Sequence, residues 1–201
     1  MKRFLFCLLF IFIISDAYAQ KDSSGILGKT SGSGYFITPT YKITSINNQS
    51  SSLLGGNAGW VINFPSKNSL EMGGGGYVLL NAVETGVTKD SGQQLYLTMG
   101  FGGLYLELIH HTNQQIHISG SILFGAGGVN DHIKGVNQYN YESSQYTIIE
   151  PGIHINYNIS NFVRLGAGID YRLITGTNMK TVSDANLSGV SGVINLKFGK
   201  F

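Results

Sequence analysis

The stretch Val163-Arg164-Leu165-Gly166-Ala167-Gly168-Ile169-Asp170-Tyr171-Arg172-Leu173 alternates without a break. Val163, Leu165, Ala167, Ile169, Tyr171 and Leu173 fall on one face of an extended chain, and Arg164, Gly166, Gly168, Asp170 and Arg172 on the other. A period of two marks a strand whose two faces meet different surroundings. The preceding segment repeats it: Ile149, Ile153, Ile155, Tyr157 and Ile159 oppose Glu150, Gly152, His154, Asn156 and Asn158. Upstream, Leu70, Met72, Val78, Leu80 and Ala82 oppose Glu71, Gly73, Gly75, Tyr77 and Asn81. No later stretch keeps apolar residues at helical spacing for three turns, so no helix is expected.

Turn residues divide the chain into eight expected strands, 34–46, 51–64, 69–83, 93–109, 116–129, 145–158, 162–175 and 188–201. The connections 65–68, 110–115 and 158–161 are short; 84–92, 130–144 and 176–187 are longer and polar, and alternate with them. Short turns at one end and long loops at the other mark an up-and-down barrel of the outer-membrane type. The fold expected is all-β, an eight-stranded antiparallel up-and-down transmembrane β-barrel, its lipid-facing strands closed because lipid tolerates no open sheet edge. Alternation alone also suits a soluble lipocalin-like barrel with its apolar face inside. The asymmetric connections, charges able to pair across a lumen and aromatics beside a short turn (Trp60, Phe64) favour the membrane form. Tyr157, Phe198 and Phe201 are further expected interface aromatics. In the fourth strand Leu95, Leu97, Met99 and Phe101 are apolar at odd positions, but Leu104, Leu106 and Leu108 at even ones. That change of phase leads us to expect a bulge at Gly102-Gly103.

The start of the chain reads as an address. Lys2 and Arg3 precede an apolar run over 4–14, and Ala17-Tyr18-Ala19 supplies small residues at cleavage-site spacing. The run is too short to span a bilayer, which takes about 20 residues. Residues 1–19 are therefore expected to be a cleaved signal peptide, 20–33 a flexible periplasmic lead-in rich in Ser and Gly, and 34–201 the barrel. Glycine fills 28 of 201 positions, while charged residues make up only 12% and apolar ones 42%. Such a chain is neither collagen-like nor a charged disordered tail. A net charge of +2 gives no reason to expect a nucleic-acid partner. The only cysteine, Cys7, lies in the segment to be removed, so no disulfide or thiolate metal site is expected.

Several stretches resemble a family of small outer-membrane β-barrels of Gram-negative bacteria whose function is uncharacterised. They are Gly55-Gly56-Asn57-Ala58-Gly59-Trp60-Val61-Ile62-Asn63, Met72-Gly73-Gly74-Gly75-Gly76-Tyr77 and Gly102-Gly103-Leu104-Tyr105-Leu106-Glu107. Glu150-Pro151-Gly152, Phe162-Val163-Arg164-Leu165-Gly166-Ala167-Gly168 and the end Leu196-Lys197-Phe198-Gly199-Lys200-Phe201 complete the set. The resemblance covers nearly the whole chain after residue 19. It implies the fold and an outer-membrane location, with outer-membrane lipid and the barrel-insertion machinery as partners; it carries no activity to transfer. A terminal Phe usually shares a face with alternate apolar residues, the insertion signal, whereas here Ile194, Leu196 and Phe198 share one face and Phe201 the other. Either Gly199 hosts a bulge that corrects the phase, or Phe198 is the anchor.

With the apolar faces outward, Lys42, Glu71, Glu107, Glu150, Arg164, Asp170, Arg172 and Lys197 point inward. Glu71 and Glu107 fall nearly opposite each other on neighbouring strands, Arg164 and Lys197 likewise, and the two pairs face each other near the short-turn rim. Glu150, Asp170, Arg172 and Lys42 fall higher. A charge-paired filling of a lumen too narrow for a channel is the expected role, since two adjacent carboxylates need a base nearby. His117 and His154 also face inward; His110 and His111 read as a surface pair on a turn rather than a metal site. Gly73–Gly76 has no following Lys-Ser/Thr or helix, so it is no phosphate loop. A rim hydrolase or acyltransferase would need Asp131, His132 and Ser143, with Ser144 beside them. The reading preferred is a non-enzymatic barrel with a closed lumen, no cofactor, metal or catalytic residue, and a structural or interaction role through loops whose ligand is unknown. The rim enzyme and the soluble ligand-binding barrel stand as alternatives.

Overall fold

The computed structural model describes residues 32–88, 93–133 and 140–201. The expected signal peptide, most of the lead-in and the tips of two loops lie outside the described residues. Strands β1 (Gly32–Ile46), β2 (Gln49–Asn63), β3 (Ser69–Leu79), β4 (Val83–Thr88), β5 (Gln94–Ile109), β6 (Ile116–Ile133), β7 (Asn140–Asn158), β8 (Val163–Thr175) and β9 (Gly189–Lys200) build one antiparallel sheet. Pairing of β1 with β9 closes it. β3 and β4 make a single stave interrupted at 80–82, so the nine strands are eight staves. At the interruption the Asn81 side chain continues the ladder, accepting from Ser52 N (2.7 Å) and donating to Ser50 O (3.2 Å). β5 pairs with β3 below this break and with β4 above it.

Both ends of the described barrel lie at the short-turn end: Gly32 opposes Asn63, and Tyr35 opposes Lys200. Gly32 and Ser33, expected in the lead-in, already pair within β1. At the other end β1 and β2 join through Asn47-Asn48, both with positive φ (49° and 60°), the geometry of a tight hairpin turn that asparagine tolerates. The loop-end connections hold more structure than expected. β6 and β7 extend through 130–133 and 140–144, residues assigned from sequence to a loop. The last connection contains a one-turn helix, α1 (Asp184–Leu187), where none was expected.

The expected bulge at Gly102-Gly103 is absent. Gly102 opposes Gly76 and Ala126, Gly103 opposes Gly75 and Gly125, and the register continues on both sides. Every odd residue from Leu95 to Ile109 therefore faces inward, and the apparent change of phase has another cause. Around the short-turn end and middle of the barrel the outward side chains are apolar: Ile37, Trp60, Leu104, Ile118, Ile155 and Ile169 are all exposed. Inward at those heights lie Glu71, Glu107, Glu150 and Lys197, all buried. Toward the loop end the arrangement inverts. Ser45, Ser50, Thr98, Gln145 and Thr147 are exposed, while Ile46, Leu53, Val83, Leu97, Met99, Val129, Ile148 and Ile174 pack together inside. Met179, Val182 and Leu187 of the last loop join this apolar cluster and close the mouth.

An apolar exterior over a polar lumen suits lipid; a polar exterior over an apolar core suits water. The inversion marks where the barrel leaves the hydrocarbon. A lipocalin-like barrel would carry its apolar face inside throughout, contrary to the exposed belt.

Candidate functional site: the charged lumen

Near the short-turn end, Glu71 on β3 and Glu107 on β5 are register partners, as are Arg164 on β8 and Lys197 on β9. Lys197 Nζ lies 2.6 Å from Glu71 Oε2 and 2.7 Å from Glu107 Oε2. Arg164 Nη1 is farther from Glu71 Oε1, at 3.9 Å, beyond hydrogen-bond range. Tyr105 OH donates to Glu107 Oε2 (2.7 Å) and Ser119 Oγ to Glu107 Oε1 (2.5 Å), with Asn156 Nδ2 donating to Ser119 Oγ (2.8 Å). Two carboxylates in register would repel; one ammonium between them, with hydroxyl donors on Glu107 and the more distant Arg164 guanidinium facing Glu71 Oε1, lets both stay in a dry interior.

A second cluster sits above. Lys42 on β1 hydrogen-bonds Glu150 on β7 and, at 2.7 Å, Asp170 Oδ2 on β8, and its ammonium lies 3.8 Å from the centre of the Tyr77 ring. His154 Nε2 is 2.8 Å from Asp170 Oδ1, while its Nδ1 is 3.9 Å from Glu107 Oε1, so this ring stands between the two clusters. Arg172 is higher still. Its guanidinium donates to Leu187 O (2.8 Å), Thr44 Oγ1 (3.4 Å) and Ser191 Oγ (3.5 Å). It thus ties the helix-bearing loop to the barrel wall through neutral oxygens.

Room for these side chains comes from glycines on the inward face. A Cβ on Gly152 would lie 2.0 Å from Asp170 Oδ1, and one on Gly168 2.2 Å from His154 Cδ2. The alternation of glycine with polar residues in β7 and β8 is therefore a packing pattern: Gly152 and Gly168 yield the volume that Asp170 and His154 fill, and Gly166 that of the Asn195 and Asn156 amides.

The expected interface aromatics divide. Trp60 and Tyr157 are exposed on the outer wall, Phe64 is half-buried in its turn, and Phe198 lies against Phe162, ring centres 6.4 Å apart. Phe201 does not join them. Pairing runs straight through Gly199, which opposes Phe36 while Phe198 opposes Ile37, so no bulge corrects the phase. Phe201 falls on the lumen side, where the Arg164 guanidinium carbon sits 3.6 Å from its ring centre, a cation–π contact that draws the ring under the barrel.

At the rim, Asp131 and His132 project to opposite faces of β6. Asp131 is buried and accepts from Glu142 N (2.5 Å) and Thr181 Oγ1 (3.0 Å). His132 is paired with Thr98 Oγ1 at 3.2 Å, and Ser143 is exposed opposite Asn130. No Ser-His-Asp relay assembles from these three residues. His110 and His111 make a ring-to-ring contact at 3.9 Å on their turn, and among the described residues no cluster of three or more His, Cys, Asp or Glu could hold a metal. His117 faces the lumen with Nδ1 3.2 Å from Gln114 O. Sequence reading missed the apolar upper lumen and the loop that closes it. The available signal was the odd phase of Leu95 to Phe101, which runs on unbroken into Tyr105 and Glu107.

No protein-family model matches the chain, and no curated protein matches it in sequence. Solved structures do. Ail, the attachment invasion locus protein of Yersinia pestis, in complex with the heparin analogue sucrose octasulfate, matches with a TM-score of 0.52 at 11% identity, over 83% of this chain and 97% of that one. A further crystal structure of Ail from Yersinia pestis gives 0.50 at 10% identity, over 84% of this chain and 98% of that one. Neisserial surface protein A gives 0.48 at 13% identity, over 86% and 99%. The fold is that of the eight-stranded outer-membrane β-barrels.

Proposed function

We propose that this protein resides in a bacterial outer membrane as a closed, non-enzymatic barrel that acts through its loop end. The observation that carries this reading is the filling of the lumen along its whole height. Ion pairs and hydrogen-bonded polar groups with Phe36 and Val61 fill the lower part, a mainly apolar cluster with Arg172 and Asp131 the upper part, and residues of the 176–188 loop pack onto that cluster. On this reading Lys42, Glu71, Glu107, Glu150, Arg164, Asp170, Arg172 and Lys197 hold the staves together rather than conduct or react. The apolar belt meets outer-membrane lipid, the final strand with Phe198 engages the insertion machinery, and the loops meet an external ligand.

Two measurements test it. Fractionation should place the protein in the outer membrane, released by detergent and migrating differently before and after heating. Reconstituted into planar bilayers, it should give no stepwise conductance. Steady ion-conducting steps would overturn the closed lumen, and release by salt alone would overturn the membrane assignment.

A further inference from the structure

The lumen holds a small cavity of about 10 Å³ beside the upper ion cluster. Its walls include Lys42, Glu150, His154, Asp170 and Asn195. Three of these present a buried atom without a hydrogen-bond partner: Glu150 Oε1, His154 Nδ1 and Asn195 Oδ1. Each of the three residues is more than nine-tenths buried, at 3%, 4% and 7% exposure.

Orphaned polar atoms at this depth keep an uncompensated desolvation cost unless something satisfies them. The chemistry of the wall selects what that is. Lys42 and His154 stand beside the cavity and disfavour a cation; Glu150 and Asp170 disfavour an anion. The volume corresponds to about one water-sized sphere. Two of the orphans accept hydrogen bonds; His154 Nε2 donates to Asp170, and with the ring doubly protonated between the Asp170 and Glu107 carboxylates its Nδ1 also bears hydrogen and donates one. A molecule that gives two hydrogen bonds and takes one satisfies the set, and three is the usual number for a buried water.

We infer that one ordered water occupies this cavity, donating to Glu150 Oε1 and Asn195 Oδ1 and accepting from His154 Nδ1. The water links Glu150 and His154 of the upper cluster to Asn195 on β9, below the contact that Arg172 makes with Ser191 of the same strand. The site depends on glycine at position 166: a Cβ there would lie 2.4 Å from Asn195 Oδ1 and push that acceptor out of place.

The test is a crystal structure of the full barrel in detergent, at a resolution that shows ordered solvent, paired with water-to-protein cross-relaxation at the His154 ring by NMR. The expected result is a single peak within hydrogen-bond distance of all three atoms, and a cross-peak that disappears in Asn195→Leu. An empty cavity overturns the inference, as does direct contact among the three atoms. So does a peak with a metal ion's shorter contacts, or a cross-peak that persists in Asn195→Leu. The wild-type structure decides even where the variant fails to fold, and bilayer conductance, measured separately, bears on the closed lumen alone.

Discussion

Glu71 and Glu107 stand directly opposite each other in the β3–β5 ladder, and a single ammonium, that of Lys197, lies within 2.7 Å of both. Two like charges in register on adjacent strands repel, so the pair persists because β9 brings a cation across the lumen. Arg164 contributes at longer range, 3.9 Å from Glu71, and turns its other side to the Phe201 ring. The two bases are therefore unequal partners. Lys197 neutralises; Arg164 supports.

Lys197→Met should consequently destabilise the barrel by about 3–5 kcal/mol, because two buried carboxylates lose their common counter-charge. Arg164→Ala should cost less. Adding Glu71→Gln and Glu107→Gln to Lys197→Met should recover part of the loss, since neutral amides need no cation. Urea unfolding midpoints in detergent micelles read all of these; equal losses for the two bases, or no recovery in the triple variant, would count against the assignment.

At the final strand, the expected outcome separates two phenylalanines three residues apart. Phe198 faces outward with Phe162, while Phe201 packs beneath Arg164. Phe198→Ala should slow assembly into liposomes, read as the fraction that shifts on heating in a gel. Phe201→Ala should leave the assembly rate near wild type and lower only the unfolding midpoint. The reverse ranking would make Phe201 the insertion anchor.

Legibility from the sequence followed local patterning. The alternation in Val163–Leu173 was enough to orient β8 and, with its neighbours, to bring Glu71, Glu107, Arg164 and Lys197 to one height, because strand phase and hairpin register are set within a few residues. β5 was misread for a different reason. Leu97 and Leu104 are equally apolar, yet one packs inside above the membrane and the other faces lipid below it. The solvent outside the barrel changes along the strand, and no local pattern states where. Phe201 and α1 escaped for a similar reason: Arg164 and Arg172, distant in sequence, hold them.

The last loop gives a pH dependence with a defined sign. Asp184 lies outside the membrane-spanning part. Its slight burial favours the neutral form, but hydrogen bonds from Thr177 and from the amide of Gly176 outweigh it and hold its carboxyl below the ordinary aspartate range. A folded-state pKa below the unfolded one contributes stability above the unfolded value, near pH 4, and that contribution fades as pH falls through the folded value. Amide exchange at Gly176 and Thr177 should accelerate as pH drops below about 4, after correction for intrinsic rates. In Asp184→Asn this acidic step should vanish.

Asp131 and His132 offer the sharpest choice between scaffold and catalyst at the rim. Asp131 is fully buried and receives both the Glu142 amide and the Thr181 hydroxyl, which fastens the last loop to the β6–β7 hairpin. Glu142 and Ser144 add further clasps, accepting from Lys180 N (2.8 Å) and Asn178 N (2.9 Å). Removing the Asp131 carboxylate strands two part-buried donors, the Glu142 amide and the Thr181 hydroxyl, at a cost of about 1 kcal/mol. The loss should be local, because the lumen network below does not depend on this residue. Asp131→Ala should therefore increase proteolytic nicking within 176–188 severalfold while leaving the heat-modifiable gel shift intact. His132→Ala removes only a hydrogen bond to Thr98 and should change neither. If instead His132→Ala abolished a lipase or protease activity measured on the wild-type barrel, the rim would be catalytic and the scaffold reading of this end would fail.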